Sequence, residues 1–103
     1  MIDIHLNADL GEGLNIERDI MPFLSSCSIA CGGHFGNDNT MRKAAEIAVQ
    51  NKIKIGAHPS YPDKIGFGRK AINISNIELS KSLIQQVNSL REILDDLEYQ
   101  LDH

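Results

Sequence analysis

The stretch SSCSIACGGHFGNDNTMRKAAEIAVQNKIKIGA, residues 25–57, changes its hydrophobic period twice. SSCSIAC (25–31) is a short apolar run that stops at Gly32 and Gly33, the pattern of a buried strand ending in a turn. From Asn39 or Thr40 onward, Met41, Ala44, Ala45, Ala48 and Val49 recur at helical spacing, which predicts an amphipathic helix lying on a sheet. KIKIGA (52–57) then reads as another short strand. Strand, helix and strand within about 30 residues make a βαβ unit, whose two strands are parallel neighbours. The expected fold class is therefore α/β.

Upstream, IDIHLNAD (2–9) alternates Ile2, Ile4 and Leu6 with Asp3, His5 and Asn7, the period of a half-buried first strand, and runs into the loop LGEG. DIMPFL (19–24) predicts a short helical turn broken by Pro22. Downstream, Ser75 and Glu78 have the spacing of a capping box. Behind them Leu83, Val87, Leu90, Leu94, Leu97 and Leu101 alternate spacings of four and three, predicting a long C-terminal helix with a seam for another helix or the sheet. Ile77, Ile84 and Ile93 widen that apolar surface, which suggests helix pairing between copies, a homo-oligomer.

At 103 residues the chain is one domain or part of one, and 42% apolar with 23% charged residues excludes collagen-like and disordered classes. A net charge of −4 without a dense Lys/Arg run argues against nucleic acid or a membrane surface as partner and leaves a small-molecule substrate. No apolar run approaches the length of a membrane span, and Met1 is followed directly by strand-like IDIHL, so the expected compartment is the cytoplasm. Cys27 and Cys31 share one face of a strand but lie about 13 Å apart, too far to bridge. They are expected to be buried reduced thiols, with Cys31 beside His34 the alternative nucleophile.

In parallel α/β folds the chemistry collects at the C-terminal ends of the strands. The first predicted strand ends at Asn7, Asp9 and Glu12, the second at Cys31 and His34, and the third at His58, with Asp63 and Arg69 beyond it. Each residue has a structural reading: a loop cap for Asp9, a satisfied core imidazole for His34, an Asx turn for Asp63, a solvated side chain for Arg69. Together, two imidazoles and a carboxylate at adjacent strand ends favour a site. Asp9, His34 and His58 would serve as ligands for a divalent metal or as a metal-free acid–base group. GEG and GFGRK complete neither a dinucleotide fingerprint nor a P-loop.

LNADLGEG (6–13), SIACGGHFGN (28–37), GAHPSYPD (56–63) and GFGRK (66–70), in this order, resemble the LamB/YcsF family, known as the A-subunit of 5-oxoprolinase. The resemblance implies an irregular β/α-barrel related to carbohydrate deacetylases. It further implies ATP-dependent opening of 5-oxo-L-proline to L-glutamate with two partner subunits, B and C. Carried onto this sequence, it implies Asp9, His34 and His58 as catalytic residues and Asn7, Glu12, Asp63 and Arg69 as binding residues for substrate or phosphate. The second block usually reads closer to NIACGFHAGD; here Ser28, Gly33, Phe35 and Asn37 take the places of Asn, Phe, Ala and Asp. These exchanges are expected to move an aromatic ring within the pocket and to remove a carboxylate at 37.

The family is more than twice as long, so residues 1–103 are expected to form a single incomplete barrel domain that continues in a KPHGALY-like block beyond His103. Missing strands leave the pocket open to water, and the isolated chain is expected to have little activity. Two other readings compete: a metal-dependent deacetylase or amidohydrolase without ATP, and a catalytically inactive oligomerising or partner-binding module.

Overall fold

Three strands, β1 (Asn7–Leu10), β2 (Ser26–Ala30) and β3 (Lys54–His58), pair in parallel in the order β1-β2-β3 in a computed structural model that describes residues 3–103. Asn7 lies opposite Ser26 and Ser26 opposite Lys54, so Asp9, Ser28 and Gly56 form a row two residues further along. Between β1 and β2 run a one-turn helix α1 (Glu17–Ile20) and a 3-10 turn, Met21–Phe23, with Pro22 at its start. Helix α2 (Asp38–Gln50) crosses from β2 to β3, and α3 (Asn76–Asp96) follows the long loop after β3.

The helix starts follow from side-chain chemistry. Asn37 Oδ1 accepts from the Thr40 backbone N–H at 3.0 Å, and Thr40 Oγ1 accepts from the Asn37 N–H at 2.8 Å. This reciprocal cap begins α2 at Asp38, slightly before the position expected from periodicity. Ser75 caps α3 through the Glu78 N–H at 3.1 Å.

Because side chains alternate along a strand, the sheet has two unlike faces. Cys27, Ile29 and Ile55 point into a core built with Met41, Ala44, Ala45 and Ala48 of α2 and Leu90, Ile93 and Leu94 of α3. The alanines let α2 lie close to the strands. The opposite face carries Asn7, Asp9, Ser26, Ser28 and His58, and Asn7 bonds to both serines across the β1–β2 pair. One face is thus an apolar seat for helices and the other a polar floor. Arg42 and Asp96 join α2 to α3 at 2.9 Å on the surface, a solvent-screened pair contributing under about 1 kcal/mol.

Three expectations change. The first strand begins at Asn7 rather than Ile2, which lies outside the described residues; Ile4 and Leu6 are exposed. Its partner β2 supplies ladder positions only from Ser26 onward, and upstream of Asn7 the Leu6 carbonyl still accepts from the Ser25 and Ser26 N–H groups without extending the ladder. The leucine seam does not run to Leu101, because α3 ends at Asp96 and Glu98 turns through φ 54°. Leu101 instead pairs in parallel with Ile55, and the Asp102 N–H donates to the Ile55 carbonyl at 2.8 Å, so residues 101–103 lie along the free edge of β3. Finally, Leu90 and Leu94 are fully buried within this chain, which leaves Ile77 and Ile84 as the exposed apolar positions of α3.

Candidate active site

The C-terminal ends of the strands do converge. Asp9 stands on β1, Glu12 on the loop after it, His34 on the loop after β2, and His58 closes β3. Together with Ser60 and Arg69 they line a cleft of about 240 Å³.

His34 is buried and bonded at both ring nitrogens. Its Nδ1 lies 3.0 Å from Ser60 Oγ, and that hydroxyl donates onward to the Tyr61 carbonyl at 3.1 Å. The hydroxyl therefore accepts from His34 Nδ1–H. The other nitrogen, Nε2, lies 2.5 Å from Glu12 Oε2, a contact that needs a proton between the two atoms. His58 lies alongside, its ring centroid 4.6 Å from that of His34, while Phe67 meets His34 edge-on at 4.8 Å. His58 Nδ1 is 3.8 Å from both Asp9 Oδ1 and Glu12 Oε2, is shielded from solvent, and has no hydrogen-bond partner among the described residues.

Glu12, His34 and His58 each offer a ligand atom within 4.8 Å of the others. Two imidazole nitrogens and a carboxylate oxygen suit a zinc-like divalent ion with an open position, and the unpartnered His58 Nδ1 fits such a role. The structure brings Glu12 into the place among the imidazoles that the sequence suggested for Asp9. Asp9 lies beside it, nearest to His58.

The remaining expected positions divide. Arg69 lines the cleft. Asp63 belongs to the loop itself: its Oδ1 accepts from the Gly66 N–H at 2.9 Å, the structural reading of that residue. Asn7 sits on the polar floor of the sheet. Asn37 caps α2, so this position serves helix initiation. Phe35 packs against Gly13 at the edge of a neighbouring cavity of about 530 Å³, and the aromatic ring beside His34 is that of Phe67.

One contributor was missed. Gln86, buried on α3, accepts from the Ser60 N–H and donates to the Ser60 carbonyl, each at 2.9 Å, and thereby fixes the residue that holds His34. A side chain at 33 would collide with Gln86 and Ser60, so Gly33 makes room for this clamp. The available signal was a polar residue spaced three from Leu83 and four from Leu90, inside the apolar stripe. Gln86→Leu leaves both Ser60 groups unpaired and is expected to destabilise the chain by about 1–3 kcal/mol, read as a lower urea midpoint.

Cys27 and Cys31 are free and buried. Burial pushes the Cys27 thiol up to about 12; it pushes Cys31 to about 11, against a smaller opposing pull from a hydrogen bond to the His58 backbone. Cys31 is thus a poor nucleophile. Both thiols should resist iodoacetamide at pH 8 until the chain unfolds, and fast native labelling of Cys31 would contradict this. Their raised native values add stability that is complete below the ordinary 9.0 and is lost as pH climbs toward 11 and 12.

A family model for the LamB/YcsF family matches residues 4–103. The A-subunit of a 5-oxoprolinase from Bacillus cytotoxicus is 47% identical over 95 residues, covering 87% of this chain and 38% of the relative. Its namesake from Haemophilus influenzae is 44% identical over 95 residues, covering 92% of this chain and 39% of its own. The chain therefore spans about two fifths of the length of these curated relatives. The crystal structure of a lactam utilization protein from Thermus thermophilus superposes with a TM-score of 0.91 at 33% identity, covering 99% of this chain and 43% of that one. The parallel strands, the helices on one face and the sequence blocks at the strand ends agree with this match, and the chain belongs to the LamB/YcsF family.

Proposed function

We propose that this chain carries the lactam-binding and hydrolytic groups of a 5-oxoprolinase, which opens 5-oxo-L-proline to L-glutamate with ATP and partner subunits B and C in the cytoplasm. The observation that carries the reading is the meeting of Glu12, His34 and His58 within 4.8 Å at the strand ends. The relatives' names supply the substrate class.

A lactam resists water because its amide is resonance-stabilised; ATP supplies activation of the amide oxygen by phosphoryl transfer. The chain's own residues then have three tasks. Glu12 and His34 hold a proton between Oε2 and Nε2, which leaves the second carboxylate oxygen of Glu12 to take one from an attacking water. Ser60, clamped by Gln86, keeps the His34 ring in one orientation. Arg69 offers a cation to a carboxylate or phosphate at the cleft wall. A divalent ion held by Glu12, His34 and His58 would polarise the carbonyl or acidify bound water. Self-association would use the exposed Ile77 and Ile84 of α3.

The nitrogen–nitrogen–oxygen donor set also favours a second reading, a metal-dependent amidohydrolase without ATP. Glutamate release from 5-oxoproline, measured on the assembled protein prepared without chelator, decides between them. Release that requires ATP and both partners supports the first reading. Stoichiometric zinc with nucleotide-independent amide hydrolysis supports the second, and a protein that shows neither activity overturns both.

A further inference from the structure

Two successive left-handed residues close the loop after β3: Phe67 has φ 54° and Gly68 φ 69°. Such backbone suits glycine but is unfavourable for a bulky aromatic residue, so the conformation at 67 is one its surroundings must impose. The Gly68 N–H donates to the Asp63 carbonyl at 2.8 Å, the Gly66 N–H to Asp63 Oδ1 at 2.9 Å, and the Arg69 N–H to the Gly66 carbonyl at 3.0 Å. Lys64 Nζ ties the same loop to the Gly36 carbonyl at 3.0 Å. A Cβ at 68 would crowd the side chains of His34 and Ser60, each 3.0 Å away, so only glycine lets the chain pass this close to them.

The turn delivers two unlike side chains to the cleft. Phe67 and Arg69, on either side of Gly68, both line it. The Phe67 ring stands at 85° to that of His34, with 4.8 Å between centroids, yet 37% of the residue stays exposed. Among the described residues that line the cleft it is the one apolar side chain, the others being polar or glycine. A partly wet aromatic ring beside a polar cleft has apolar surface left to bury. Arg69 makes no ion pair among the described residues. Asp9 and Glu12 put two carboxylates in the same cleft, so an acidic ligand is admitted only with its own carboxylate on a cation. The cleft volume of about 240 Å³ lies under the roughly 300–1,000 Å³ of pockets for drug-sized ligands, which restricts the occupant to a single small ring.

We propose that Phe67 is a specificity-determining residue of this cleft, its ring packing on the methylene groups of a small cyclic amide acid whose carboxylate Arg69 takes. The proposal rests on the lactam reading above and adds the wall that selects a saturated ring. It also gives the left-handed turn a purpose: the hydrogen bonds to Asp63 hold an aromatic residue in a conformation it would not adopt alone, and so keep its ring at the cleft.

The test is a titration of the full chain with 5-oxo-L-proline and with 2-pyrrolidinone, which keeps the ring and lacks the acid, followed by imidazole ¹⁵N and phenyl ¹³C signals. The expected result is movement of the His34, His58 and Phe67 signals, with nuclear Overhauser contacts from the Phe67 ring to the ligand methylenes. Phe67→Gly, which suits the left-handed turn and removes only the ring, should weaken both ligands about tenfold, and Phe67→Leu, which keeps an apolar wall, by no more than about threefold. Arg69→Gln should weaken 5-oxo-L-proline about tenfold and leave 2-pyrrolidinone within about twofold. Unchanged affinities in Phe67→Gly overturn the proposal, as does an equal loss for both ligands in Arg69→Gln. So do shifts at His34 and His58 without contacts to Phe67, and in each of these cases the lactam reading stands. If neither ligand moves His34 or His58, both fall.

Discussion

On the proposed 5-oxoprolinase reading, Glu12→Gln is expected to lower lactam turnover of the assembled protein by about 10²–10⁴-fold while leaving the unfolding midpoint nearly unchanged. The carboxylate lies 2.5 Å from His34 Nε2 and 3.8 Å from His58 Nδ1. An amide keeps the size and an acceptor oxygen but cannot hold or release a proton near neutral pH, and it is a much weaker metal ligand. Glu12 stands on a loop outside the core, so the fold should survive. Glutamate release at saturating 5-oxoproline, paired with circular dichroism on the same sample, checks both halves. Near-native turnover in the variant would remove Glu12 from the chemistry.

Leu90→Ala is expected to destabilise the chain by about 2–5 kcal/mol, the range for emptying a fully buried leucine site. Domains of this size have about 5–15 kcal/mol in total, so the loss is a large share and should appear as a marked drop in the urea midpoint. Leu90 is one helical turn from Gln86 on the same side of α3. Loosening it also frees the clamp on Ser60, so affinity for lactam should fall along with stability. An unchanged midpoint would mean that α3 is not seated on α2 through this residue.

The parallel α/β order was legible because each element states its period locally: Met41, Ala44, Ala45 and Ala48 bury as a helical face, and Cys27, Ile29 and Ile55 as strand positions. The strand-end rule placed Asp9, Glu12, His34 and His58 on one rim without any coordinates. What was not legible depended on partners distant in sequence. The extent of β1 is set by the register with Ser26, not by the alternation of Ile4 and Leu6. Glu12 rather than Asp9 stands between the imidazoles because the loop from Gly11 to Gly13 folds back, a turn that spacing alone does not specify. Leu101 fits a heptad on paper but follows a left-handed residue at Glu98, which ends the helix and sends the chain to the sheet.

The bond between Asn7 and His103 links positions 96 apart, and Tyr99 hands its hydroxyl hydrogen to Ile53 across 46. Contacts of such sequence separation are slow to form, because the chain between them must be closed into a loop first. During synthesis, β1, β2 and β3 can associate while α3 is still inside the ribosome, but the edge of β3 then lacks a neighbour and the polar floor lacks the His103 imidazole. A nascent chain arrested before Tyr99 would therefore offer that edge to any passing strand.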